Sequence, residues 1–158
     1  MTGYSQTTED ELISLVLDEV AEFSRSLERI EERIASAEGE SRARWQVLNA
    51  LSSGSATVSQ IARRLGLTRQ SVQRVADLLE RERMVESKKN PDHKRAPLIA
   101  PTARGRRTLK KLEKRSRAFR SMVAKKTRKR RLADLRVRLR DVSDSVLEVG
   151  EQRGLIED

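Results

Sequence analysis

The chain contains no cysteine among its 158 residues. That excludes disulfides, thiol-based redox sensing and cysteine metal sites. Aromatic residues make up 3%, too few for a thick aromatic core, and seven glycines with three prolines are too few for an all-β fold of many turns. The single histidine, His93, has no second His or Cys to complete a zinc site, so no metal or other cofactor is expected. No apolar run approaches a membrane span and no signal-peptide pattern opens the chain, so the expectation is a cytoplasmic protein with no membrane partner. There is also no nucleophile–base constellation and no phosphate-binding loop. An enzyme is not expected.

Charge is abundant instead. Charged residues form 37% of the chain and the formal net charge is +10. Its distribution is uneven: residues 1–40 carry 3 basic and 11 acidic side chains, against 31 and 13 in residues 41–158. A basic body with an acidic arm suits a polyanionic partner, because neutralising phosphates releases counterions. Solubility alone is the competing explanation.

The length suits one domain, or a compact module with long helical extensions. From Glu9 to about Ala37 the pattern is helical, with Val16, Val20, Phe23, Leu27, Ile30 and Ile34 spaced 4, 3, 4, 3, 4. This is a heptad seam, narrower than the stripe of a core helix, and it calls for a partner helix. A second helix over about Ser41–Leu51 carries Trp45, Val47, Leu48 and Leu51. After the middle of the chain, a basic helix is expected from Thr102 to roughly Ala124, with Leu109, Leu112, Phe119, Met122 and Val123 on its apolar side. "KKTRKRR" follows, placing six cations in seven positions, where a helix break is expected. Then Leu132, Leu135, Leu139, Val142, Val146 and Val149 repeat the heptad spacing. Seams at both ends point to terminal helices that pack together and against those of a second copy of the chain. Val16, Val20, Phe23, Leu27, Leu135, Leu139, Val142 and Val146 are the candidate dimerisation residues.

The middle stretch "TVSQIARRLGLTRQSVQRVADLLERERM" runs from Thr57 to Met84. Thr57 with Gln60 fits a capping box. Ile61, Ala62 and Leu65 form an inner face, Gly66 suits the left-handed residue that ends a helix, and Leu67 is expected to plug the corner. Thr68 is a good N-cap for the next helix. There Val72, Val75, Ala76 and Leu79 line a buried stripe, leaving Arg69, Gln70, Gln73, Arg74 and Asp77 outward. A short helix that braces a second one bearing such side chains is the geometry of a helix-turn-helix in the major groove of double-stranded DNA. Arg can bond guanine and Gln adenine through two hydrogen bonds, while Thr68 and Ser71 are hydroxyl donors suited to phosphates. "MVESKKNPDHKRAPLIAPT" then reads as a β-hairpin of two short strands, with Pro97 on an edge strand and Pro101 helping to end it. Lys88, Lys89, His93, Lys94 and Arg95 crowd its turn, and an Arg there suits the minor groove.

"RWQVLNAL", "TVSQIARRLGLTRQSVQRVADLLERERMVE" and "NPDHKRAPLIAPTARG", with the long flanking helices, resemble the MarR family of bacterial transcriptional regulators. The likeness covers nearly the whole chain and is most specific from Arg44 to Gly105. It implies a mainly α fold with a small β-hairpin wing, a winged helix-turn-helix between long N- and C-terminal dimerisation helices. It further implies a triangular homodimer that binds palindromic operators. Residues 1–40 would be the N-terminal dimerisation helix, 41–102 the DNA-binding domain and 103–158 the C-terminal dimerisation helices. Carried over, the recognition helix runs from Thr68 to about Arg83, the wing is Val85 to Ala100, and the wing Arg falls on Arg95. The family often has an acidic residue two places before that Arg; here the position is His93, with Asp92 one place earlier.

Many members of the family respond to small, often phenolic effectors bound between the DNA-binding and dimerisation regions, and a ligand-relieved repressor is the corresponding expectation. Trp45 either borders such a pocket or belongs to the core, where a Trp is more often found. Two alternatives stand beside the sequence-specific regulator. One is an architectural protein that binds DNA through charge alone. The other is a winged-helix adaptor that binds proteins.

Overall fold

The computed structural model describes residues 7–91 and 96–155. The elements are α1 (Glu9–Ser36), α2 (Arg42–Ala50), α3 (Val58–Leu65), α4 (Arg69–Arg81), β1 (Val85–Lys88), β2 (Leu98–Pro101), α5 (Ala103–Lys126) and α6 (Lys129–Gln152). They divide into two compact units, Met1–Ser116 and Arg117–Asp158.

In the first unit, α1 begins on a capping box. The Thr8 backbone N–H donates to Glu11 Oε2 at 2.8 Å, and Thr8 Oγ1 accepts from the Glu11 N–H at 3.2 Å. Glu9, Asp10 and Glu11 in the first turn favour the positive end of the helix dipole. The helix ends at Ser36, and in the turn after it Gly39, at φ 74°, lets the Glu40 N–H return to the Ala35 carbonyl at 3.0 Å. Its 28 residues include one buried side chain, Ala35. Along the seam Leu27, Ile30 and Ile34 are half-buried, whereas Val16, Val20 and Phe23 are exposed.

The core gathers Val47, Leu48 and Leu51 from α2, Ile61 and Ala62 from α3, and Val72 and Leu79 from α4, closed by Met84, Val85, Ile99 and Leu109. Trp45 packs against it, half-buried. β1 and β2 pair antiparallel with Val85 opposite Pro101 and Ser87 opposite Ile99. Ala56 joins from the other side: its N–H donates to the Ile99 carbonyl at 3.1 Å, and the Ile99 N–H donates to the Ala56 carbonyl at 2.9 Å. Pro97 lies just ahead of β2 and Pro101 is its last residue.

α5 starts under close constraint. The Thr102 hydroxyl donates to the carbonyls of Arg83 at 2.8 Å and Met84 at 3.1 Å, and accepts from the Gly105 N–H at 3.1 Å. Gly105 is glycine for a steric reason: a Cβ there would lie 2.1 Å from the Met84 carbonyl oxygen.

In the second unit α5 ends at Lys126 and α6 opens at Lys129, so the helix break falls inside the basic run. Leu135, Leu139 and Val146 are exposed on α6 and Val142 is half-buried, while Met122 and Val123 are exposed on α5.

Candidate nucleic-acid interface

α3 and α4 form a helix-turn-helix built by local signals. Thr57 and Gln60 close a capping box at 2.8 and 3.2 Å. Ile61 and Ala62 are buried, and Gly66, at φ 63°, ends α3. The Leu67 N–H returns to the Ala62 carbonyl at 3.0 Å, but the Leu67 side chain is 43% exposed. The corner is thus closed by backbone bonds, and Leu67 does not plug it as its apolar character suggests. Arg64, on the far side of α3, donates to the Ala50 carbonyl at 3.0 Å and satisfies the end of α2. A helix of eight residues is held in place from both neighbours.

Thr68 caps α4, accepting from the Ser71 N–H at 3.2 Å. Its hydroxyl also donates to Ser71 Oγ at 2.9 Å, which leaves the Ser71 proton as the outward donor of the two. Val72, Ala76 and Leu79 are buried, and Val75 is half-buried. Arg69, Gln70, Gln73 and Arg74 are all exposed. Among the described residues the side chains of Arg69, Gln70 and Arg74 have no hydrogen bond or ion pair. Gln73 does: its Nε2 donates to Asp77 Oδ1 at 2.7 Å. α4 stops at Arg81, two residues short of the expected end, because Arg83 takes a left-handed φ of 56° and the Met84 N–H turns back to Leu79 at 2.8 Å.

The wing is tied to α4 where the Ser87 N–H donates to Glu80 Oε1 at 2.9 Å. Lys88 is exposed and pairs with Glu86 at 3.1 Å, and Asn90 Nδ2 donates to the Ala96 carbonyl at 2.8 Å across the base of the turn. Asp92, His93, Lys94 and Arg95 lie outside the described residues. Between α3, α4 and the wing is an open cleft of about 390 Å³, bordered by Thr57, Ser59, Arg69, Gln70, Gln73 and Pro97 among others.

Behind α4 sits an ion cluster that the sequence patterns do not single out. Arg44 Nε lies 2.8 Å from Glu40 Oε2, and Arg44 Nη1 donates to Glu82 Oε1 at 2.8 Å. The Glu40 side chain is 4% exposed and that of Arg44 17%. Burial pushes the Glu40 carboxyl above its ordinary value, against the pull of Arg44. The hydrogen bond from Arg44 holds Glu82 below its ordinary value, and the same bond raises Arg44. A second set joins α1 to α2: Arg42 Nε donates to Glu31 Oε2 at 2.8 Å, its Nη2 pairs with Glu28 at 3.2 Å, and its backbone N–H donates to Glu32 at 2.9 Å. A third links Glu38 to Arg115 and, at 3.9 Å, to Lys111 on α5. Glu40 and Arg44 stand at the spacing of a helical ion pair, a visible hint. Glu82 is 38 residues further on and reaches them only through the fold.

Residues 39–96 match the family model described as the MarR family. The chain belongs to the MarR family. An uncharacterized protein of Mycobacterium tuberculosis is 46% identical over 107 residues, covering 68% of this chain and 74% of the relative. Among solved structures, a MarR family transcription regulator superposes with a TM-score of 0.84 at 19% identity, covering 90% of this chain and 95% of that one. A mutant MarR of E. coli complexed with operator DNA gives 0.74 at 18% identity, covering 86% and 99%. The fold is therefore that of MarR transcription regulators, a family of regulators and not of enzymes. Among the described residues no helix is long and apolar enough to cross a membrane, and no cluster of His, Cys, Asp and Glu is placed to hold a metal ion.

Proposed function

We propose that this MarR-family chain is a homodimeric, sequence-specific repressor that binds a palindromic operator in double-stranded DNA. The observation that carries the reading is the row Arg69, Gln70, Gln73 and Arg74, exposed on the first two turns of a braced and capped helix. Among the described residues Arg69, Gln70 and Arg74 have no hydrogen bond or ion pair, so their donors are available to a partner. In the major groove Arg69, Gln70, Gln73 and Arg74 read base edges, Ser71 and the helix start around Thr68 meet phosphates, and the wing residues Lys88, His93, Lys94 and Arg95 meet the backbone and minor groove.

The homodimer is supported by apolar side chains that one copy leaves in water. Phe23 is 61% exposed and Val146 46%, on seams with coiled-coil spacing. Val16, Val20 and Leu27 with Leu135, Leu139 and Val142 complete the proposed contact, making residues 1–40 and 103–158 the dimerisation parts and 41–102 the DNA-binding part. Two recognition helices would then enter major grooves about 34–36 Å apart. The family likeness supports a small-molecule effector that relieves repression, and a cytoplasmic location is part of the proposal.

Selection of bound fragments from random duplexes tests the reading. It should return a palindrome, and Arg74→Ala should weaken binding to it about 10-fold while relaxing preference at one base pair per half-site. Equal loss on every sequence would make Arg74 a phosphate contact. Failure to enrich any sequence would leave the architectural reading.

A further inference from the structure

Of Arg69, Gln70, Gln73 and Arg74, Gln73 alone has a side-chain partner among the described residues, and that partner is informative. Asp77 has Arg74 three residues before it and Arg81 four residues after, both at helical ion-pair spacing. Neither Arg forms an ion pair with it among the described residues. Arg81 Nε donates at 3.3 Å to the Asp77 backbone carbonyl, and the carboxylate accepts at 2.7 Å from the neutral amide of Gln73.

A glutamine amide has two ends of similar shape and opposite hydrogen-bonding sense. Unrestrained on a helix surface, it can turn by half a revolution and present either. A carboxylate only accepts, so it can hold the NH₂ end and not the carbonyl end. One N–H is committed to Asp77, and the amide keeps one N–H and the carbonyl. Those two are the donor and acceptor that complement N7 and N6 of adenine. A carboxylate beside a phosphate backbone also weakens binding to every sequence, so Asp77 adds no non-specific affinity.

We infer that Asp77 is a positioning residue for base readout. It fixes the polarity of the Gln73 amide, and thereby makes one position of each half-site select adenine. The inference rests on the reading of α4 as the recognition helix.

The test is a double-mutant cycle on the full chain, read as relative affinity for duplexes carrying each of the four base pairs at every position of the selected site. Gln73→Ala identifies the position that Gln73 reads. Asp77→Asn is the central variant, because it keeps the shape but can hold either end of the amide; Asp77→Ala removes the hold altogether. Both should lower adenine preference at that position about 5- to 10-fold, leave preferences elsewhere intact, and tighten binding to random duplex. In the Gln73→Ala background neither should lower it further. If Gln73→Ala changes a position and the Asp77 variants do not, or if the effects add, the positioning role is overturned. If Gln73→Ala changes no position, the assignment of Gln73 as a reader falls, and the positioning role with it.

Discussion

At the scale of single residues, Arg44 stands out away from the exposed row of α4. It is the counter-charge of a carboxylate that the fold has taken out of water, and it links the start of α2 to the end of α4. Arg44→Ala removes the cation and leaves Glu40 buried, which should destabilise the chain by about 2–3 kcal/mol. The pH dependence has opposite signs at the two acids. Glu82, lowered, contributes stability that is present above the ordinary carboxylate value of 4.5 and lost as the pH falls below it. Glu40, raised, costs stability while ionised, and that cost fades as it takes up a proton. Without Arg44 the Glu40 contribution dominates, so the deficit of Arg44→Ala should shrink from neutral pH towards 4.5. Urea unfolding from neutral pH to below 4.5 checks it; a deficit that stays level down to 4.5 and shrinks only below it would show that Arg44 acts mainly through Glu82.

At the scale of elements, the helix-turn-helix was legible because its signals are local. Thr57 with Gln60, Gly66 and Thr68 each act within a few residues, and the buried stripe of α4 follows helical spacing. Arg83 was not legible, since a left-handed residue announces itself in sequence mainly when it is glycine. Leu67 misleads for a related reason: an apolar residue after a helix-ending glycine usually packs back, but here the backbone bonds close the corner without it. Gly105 carries the reverse lesson. Helix propensity alone favours alanine over glycine by about 1 kcal/mol. The 2.1 Å approach to a backbone carbonyl outweighs that, because no rotamer change relieves it. Gly105→Ala should therefore lower stability by about 1–2 kcal/mol net, as overpacking does. A melting temperature at or above that of the parent chain would mean that α5 can shift to make room.

At the scale of the whole molecule, charge is sorted by region. Some cations are spent internally: Arg25 and Arg29 on Glu22, Arg42 on Glu28 and Glu31, Arg115 on Glu38. Lys125, Lys126, Arg128, Lys129, Arg130 and Arg131 are different. All six are exposed and, among the described residues, none forms an ion pair. Non-specific affinity for phosphates is the proposed use. Replacing the six with glutamine should flatten the dependence of log affinity on log salt while leaving base preference unchanged. An unchanged slope would remove this run from the DNA interface. The ion clusters joining α1, α2 and α5 were not legible at this scale, because their partners come together only once the chain has folded.

The footing of the wing has a consequence for how its length can vary. Ile99 directs both its N–H and its carbonyl to Ala56, so its pairing with Ser87 is of the kind without mutual hydrogen bonds, and β2 is gripped from two sides. A slip by one residue would break that grip and turn Ile99 out of the core. Asn90 spans the base of the turn to the Ala96 carbonyl, just outside that grip. Changes of chain length between those two residues should therefore leave the register of β1 and β2 as it is, because Ala56 sets it from the opposite edge.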